Sequence, residues 1–184
     1  MAAEKTLFTA DDLLRLPDGG KQHELVRGEL RKMSPGGWEQ GIVSARLVRR
    51  VANHVEDHDL GLVLTNEPGF RIERDPQTVR ATDLAFVAKD RVPASRPSVA
   101  FPDFAPDLVA EVVSPSESAA DVEEKIHLWL RAGVRLLWVL YPRLRSISVY
   151  RSFEDVRILD ENSVLDGADV LPGFSCPVRD LFPY

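Results

Sequence analysis

Cysteine is nearly absent from this chain of 184 residues. The single Cys176 excludes an intramolecular disulfide and a thiolate metal cluster, and in GFSCPV it reads as a small buried side chain. Lysine is scarce too, limited to Lys5, Lys21, Lys32, Lys89 and Lys125. No apolar run approaches the roughly 20 residues that a membrane-crossing helix needs, so no membrane span is expected. MAAEKTLFTADDLL has no long apolar stretch behind a basic start, so no secretory signal is expected either. There are no internal repeats and no low-complexity segment. Basic excess is also lacking: a formal net charge of −6 argues against a protein that coats nucleic acid by bulk electrostatics, though a local basic groove stays open. Arginines cluster at Arg46, Arg49 and Arg50 and again at Arg71, Arg74 and Arg80, and both groups read as solvated faces. A cytoplasmic protein with one domain over residues 1–184 is expected.

What is present is a legible series of elements. TADDLLRLP reads as a short helix capped by Thr9, with Asp12 completing the box and Pro17 ending it. HELVRGELRKMSP reads as a hairpin turning at Arg27-Gly28. From Trp38 to about His58, Val43, Leu47, Val48, Val51 and Val55 recur at helical spacing, with Gly61 as the stop. LVLTNEPGFRIER and TDLAFVAKD are strand candidates separated by a turn at Asp75-Pro76, and a proline-rich loop, RVPASRPSVAFPDFAPD, follows. After SPSES a helix begins at a Ser118–Asp121 capping box and ends at Gly133. RLLWVLY and SISVYRS then form strands around Pro142, and the tail holds a short strand and a closing turn. The order predicts an α/β fold with a mixed sheet flanked by helices.

Three charged residues stand against the apolar pattern of their elements. DLVAEVVSPS, residues 107–116, is an apolar run of the kind buried on both faces, yet Glu111 interrupts it. Asp83 opens the strand TDLAFVA on the same face as Ala85 and Val87. Lys125 shares a helical stripe with Val122, Ile126 and Trp129. Singly, each has a structural explanation: a strand-start cap for Asp83, an ion pair with Arg135 for Glu111, a snorkelling stem for Lys125. Together they form a candidate constellation. Two carboxylates on neighbouring strands suit a hard divalent cation, and a nearby lysine suits charge stabilisation in phosphodiester hydrolysis. The predicted partner of Glu111 is therefore a metal or Lys125 rather than Arg135. His54 and His58, four apart in HVEDH, read as a solvated helix end rather than a zinc pair.

HELVRGEL, TDLAFV, PDLVAEVVSPS, the helix carrying Lys125, and AGVRLLWVLYP also resemble, in that order, the Uma-type "putative restriction endonuclease" family of the PD-(D/E)XK nuclease superfamily. The resemblance runs from TLFTADDLLRLP to PGFSCPVRDLF and implies a restriction-endonuclease-like fold. It implies Asp83 and Glu111 as metal carboxylates, the Val112 carbonyl as a third ligand, and Glu24 as an additional acidic residue of the site or of a second metal. In the superfamily the lysine lies two residues after the second carboxylate; Val113 occupies that place here, and the resemblance implies that Lys125 reaches in from the next helix. The chain departs from the family at Thr82 (often Pro), Glu39 (often His) and Tyr141 (often Asp). The expected function is a magnesium- or manganese-dependent endonuclease acting on nucleic acid, DNA before RNA, and working as a homodimer. Two other classes stay open: a silent nucleic-acid-binding or regulatory module, and a protein-interaction domain that dimerises through apolar side chains of the proline-rich loop.

Overall fold

The computed structural model describes residues 7–17, 19–20, 22–94 and 101–183. The first helix, α1 (Ala10–Leu14), starts as expected: the Thr9 hydroxyl accepts from the Asp12 N–H, and the Asp12 carboxylate accepts from the Thr9 N–H. Strands β1 (His23–Val26) and β2 (Glu29–Lys32) form the expected hairpin. Its turn places Arg27 at φ 50° and Gly28 at φ 79°, the left-handed pair that matches the twist of a two-residue hairpin. Helix α2 (Trp38–Asp57) buries Val43, Leu47, Val51 and Val55 along one stripe.

Gly61 does not end this helix. His58 closes it, and Gly61 opens β3 (Gly61–Thr65) at φ 150°, where a Cβ would meet the Val87 carbonyl oxygen at 2.1 Å. LVLTNEPGFRIER is two strands, broken where Asn66 (φ 68°) and Glu67 (φ 58°) enter the left-handed region. Its second half is β4 (Gly69–Arg74), which turns at Asp75-Pro76 into a strand with no counterpart in the sequence reading, β5 (Gln77–Ala81). Strand β6 (Leu84–Ala88) follows, then β7 (Leu108–Val112), α3 (Ala119–Arg131), β8 (Leu136–Tyr141) and β9 (Ser146–Tyr150). The short strands β10 (Val156–Leu159), β11 (Val164–Asp166) and β12 (Ser175–Pro177) complete the series.

The main sheet has six strands in the order β10-β9-β8-β7-β6-β3. Only β7 and β8 run parallel, because α3 supplies the crossover that a parallel pair requires. One face packs on α2: Leu84, Phe86, Ala110, Val112 and Trp138 meet Val43, Leu47, Val51 and Val55. The other face, with Ala85, Val109, Leu137 and Val139, packs on Val122, Ile126 and Trp129 of α3 and on Phe70 of β4. A second sheet, β2-β1-β5-β4, carries α1 over Leu25 and Val79. This is the mixed sheet flanked by helices that the pattern predicted, with an added four-stranded sheet.

Of the proline-rich loop, residues 95–100 lie outside the described residues. The aromatics of the described part turn inward: Phe104 meets Phe70 edge-on, and Phe101 packs on the α1 cluster.

Candidate active site

The register of the main sheet brings two of the three anomalous charges together. Leu84 pairs with Ala110 in the antiparallel β6–β7 ladder, and one further step places Asp83 beside Glu111. Both carboxylates line one cleft of about 260 Å³. Asp83 Oδ2 accepts the Val112 N–H at 2.7 Å. A strand residue sends its N–H and C=O to the same edge, so the Val112 carbonyl also leaves on the Asp83 side. Buried Thr82 fastens this corner: its hydroxyl lies 2.9 Å from the Ala110 carbonyl oxygen and 3.1 Å from that of Leu84. Thr82 therefore laces β6 to β7 where the family often has proline.

The third charge arrives from α3. Lys125 Nζ lies 3.2 Å from Glu111 Oε2 and 2.7 Å from Glu117 Oε1. Glu111 Oε1 accepts the Trp129 indole N–H at 2.8 Å, so the carboxylate is held at both oxygens. Arg135 is elsewhere, reaching Asp107 at 3.6 Å and Asp169 at 2.8 Å. Of the two sequence readings for Glu111, the Lys125 pairing is the one realised.

Glu24 lines the same cleft, but both of its oxygens are engaged. Oε2 accepts from Arg80 Nη1 at 2.7 Å, and Oε1 accepts the Ala81 N–H at 3.0 Å. It ties β1 to the end of β5, immediately before Thr82 and Asp83. Arg80 is thereby removed from the solvated group in which the sequence reading placed it: it is 3% exposed, while Arg71 and Arg74 pair outside with Asp103. Arg31 on β2 pairs with Glu124 on α3 at the cleft rim. Glu39 does not line the cleft; the next residue, Gln40, does.

Electrostatics follow from this crowding. Burial first, and the neighbouring Glu111 carboxylate second, push Asp83 up to about 7, against the opposing pull of the Val112 N–H. Burial pulls Lys125 down, but Glu111 and Glu117 outweigh it and hold the ammonium above its ordinary value. Six carboxylates line the cleft (Glu24, Glu67, Asp83, Glu111, Glu117, Asp121) against four cationic side chains (Arg31, Lys32, Arg80, Lys125). Acidic side chains thus outnumber cationic ones around the buried Asp83. Among the described residues no three His, Cys, Asp or Glu side chains gather into a metal cage. The two carboxylates, with the Val112 carbonyl on the same side, would suit a hard ion that keeps several waters. His54 and His58 bond instead to the Pro172 and His54 carbonyls at the helix end.

Three residues of this site escaped the sequence reading. Trp129 was placed on the right stripe, and its buried indole N–H was the available signal, because such a group needs an acceptor. Arg80 was hidden because β5 was not recognised. Glu117 stands in a loop, where no periodicity marks it.

No curated protein matches the chain in sequence. Among solved structures, the chain is similar to the crystal structure of a putative nuclease belonging to DUF820 from Anabaena variabilis, at 18% identity and a TM-score of 0.82. The match covers 95% of this chain and 97% of that one. The likeness establishes a shared fold. The family model described as "Putative restriction endonuclease" matches residues 10–179, and the chain belongs to that family, Uma2.

Proposed function

We propose that the protein is a magnesium- or manganese-dependent endonuclease that hydrolyses phosphodiester bonds in nucleic acid, with DNA as its substrate. The observation that carries the reading is the meeting of Asp83 and Glu111 on adjacent strands, with the Lys125 ammonium 3.2 Å from Glu111. Membership of a family described as "Putative restriction endonuclease" supports it.

Asp83, Glu111 and the Val112 carbonyl would hold the ion. Bound there, the ion would supply Lewis acidity towards a phosphoryl oxygen and lower the pKa of its water. Lys125 keeps a positive charge where negative charge grows on the phosphate. Trp129 fixes the rotamer of Glu111, and the Glu24–Arg80 pair holds the end of β5 that delivers Asp83. Preorganised charge of this kind acts more strongly in a cleft than in water.

The test is cleavage of supercoiled plasmid and of single-stranded RNA with magnesium or manganese, comparing wild type with Asp83→Asn and Lys125→Met. Metal-dependent nicking of the plasmid, lost in Asp83→Asn, is the expected outcome. Absence of wild-type cleavage of either substrate with either metal overturns the proposal. Tight binding without cleavage, unchanged in Asp83→Asn, would point to a binding module.

A further inference from the structure

Lys125 stands on a helix rather than on the strand that carries Glu111, and it reaches the cleft on a flexible four-carbon stem. A lysine used from that distance must be held, because an unheld stem keeps its rotamer freedom. Glu111 is a poor sole anchor. Its Oε1 is bound to Trp129, and its Oε2 is the oxygen that a cation shared with Asp83 would take from the ammonium.

We infer that Glu117 is the positioning residue for Lys125, keeping the ammonium at the cleft when Glu111 turns to a cation. This inference rests on the nuclease reading above. Glu117 Oε1 is the nearer of the two carboxylate contacts, 2.7 Å from Nζ against 3.2 Å for Glu111. The Glu117 carboxylate is itself fixed, because Oε2 accepts the Ser114 N–H at 2.7 Å. Ser114 and Ser116 brace the same loop through hydroxyls 2.9 Å apart, and Ser118 begins α3 directly afterwards. The loop between β7 and α3 therefore carries an anchor joined to both elements that present the site.

Glu117→Gln separates this role from a purely structural one. Glutamine keeps an oxygen to accept the Ser114 N–H and loses the charge that holds Lys125. In metal-loaded protein, kcat is expected to fall about 10- to 100-fold, with KM changed less than about threefold. Adding Glu117→Gln to Lys125→Met should cost nothing more, since the two act as a unit. Manganese affinity, titrated without nucleic acid, should fall by less than about threefold; a fall of about tenfold or more would make Glu117 a ligand and overturn the inference. Additive losses in kcat overturn it as well, because they indicate a loop role independent of Lys125. If wild type cleaves and Glu117→Gln matches it, this inference alone is lost; if wild type cleaves nothing, the nuclease reading falls and takes the inference with it.

Discussion

Asp83 shows how far one position can depart from its intrinsic chemistry. Burial and Glu111 raise its carboxyl from 3.8 to about 7, so the folded protein holds this proton more tightly than the unfolded chain does. The resulting stabilisation is complete below the unfolded value and is lost as pH rises through about 7. Metal-free protein is therefore expected to lose thermal stability between about pH 4 and pH 7 through this group. Asp83→Asn keeps an acceptor for the Val112 N–H and removes the buried charge. Its melting temperature should exceed that of wild type near pH 8 and approach it near pH 5; parallel melting curves across that range would refute the assignment. Trp129→Phe probes the neighbouring contact by keeping the ring and deleting the donor to Glu111 Oε1. It should cost about 1–3 kcal/mol in urea unfolding with an unchanged m-value, the penalty for leaving a buried acceptor unsatisfied. Asp83, Glu111 and Lys125 could be found in the sequence because each breaks a local apolar pattern. Trp129 carried only the weaker signal of an indole N–H that needs an acceptor, and Arg80 and Glu117 carried none, because local sequence says nothing about which distant oxygen or ammonium will face a side chain.

Among the elements, those with strong local signals formed where the pattern put them. The Ser118–Asp121 box starts α3, and its hydroxyl accepts the Asp121 N–H. Ser118→Ala should destabilise the protein by about 1 kcal/mol, read as a lower urea midpoint. Because α3 carries Lys125 and Trp129, the same variant should also weaken metal-dependent cleavage; full activity at normal rates would show that the first turn of α3 does not set the site. The strands were less legible. β3 and β4 occupy one continuous-looking stretch but go to different sheets, since two consecutive left-handed residues redirect the chain. β5, in QTVRA, is short and carries a buried arginine, so its burial depends on a partner, Glu24, 56 residues away.

At the scale of the molecule, the site exists because several elements meet at one end of two interior strands of the main sheet. β6 and β7 present the carboxylates, α3 presents the lysine, and the β1–β5 pair closes the far wall with Glu24 and Arg80. A cation that binds only the folded state must stabilise it. At about 100 times its dissociation constant, magnesium or manganese should add about 2.7 kcal/mol, seen as a raised melting temperature that Asp83→Asn abolishes. An unshifted wild-type melting temperature at millimolar manganese would remove the metal from the proposal. The sequence by itself determined the helices, the hairpin, the family, and the three charges that do not suit their elements, because periodicity, capping and turn chemistry act over a few residues. The sequence also narrowed the partner of Glu111 to a metal or Lys125, but only the tertiary structure realised that pairing and supplied the rest: the Trp129 indole on Glu111, Arg80 on Glu24, and Glu117 as the second hold on the lysine. Those pairings depend on strand register and on how α3 lies across the sheet, and long-range packing sets both.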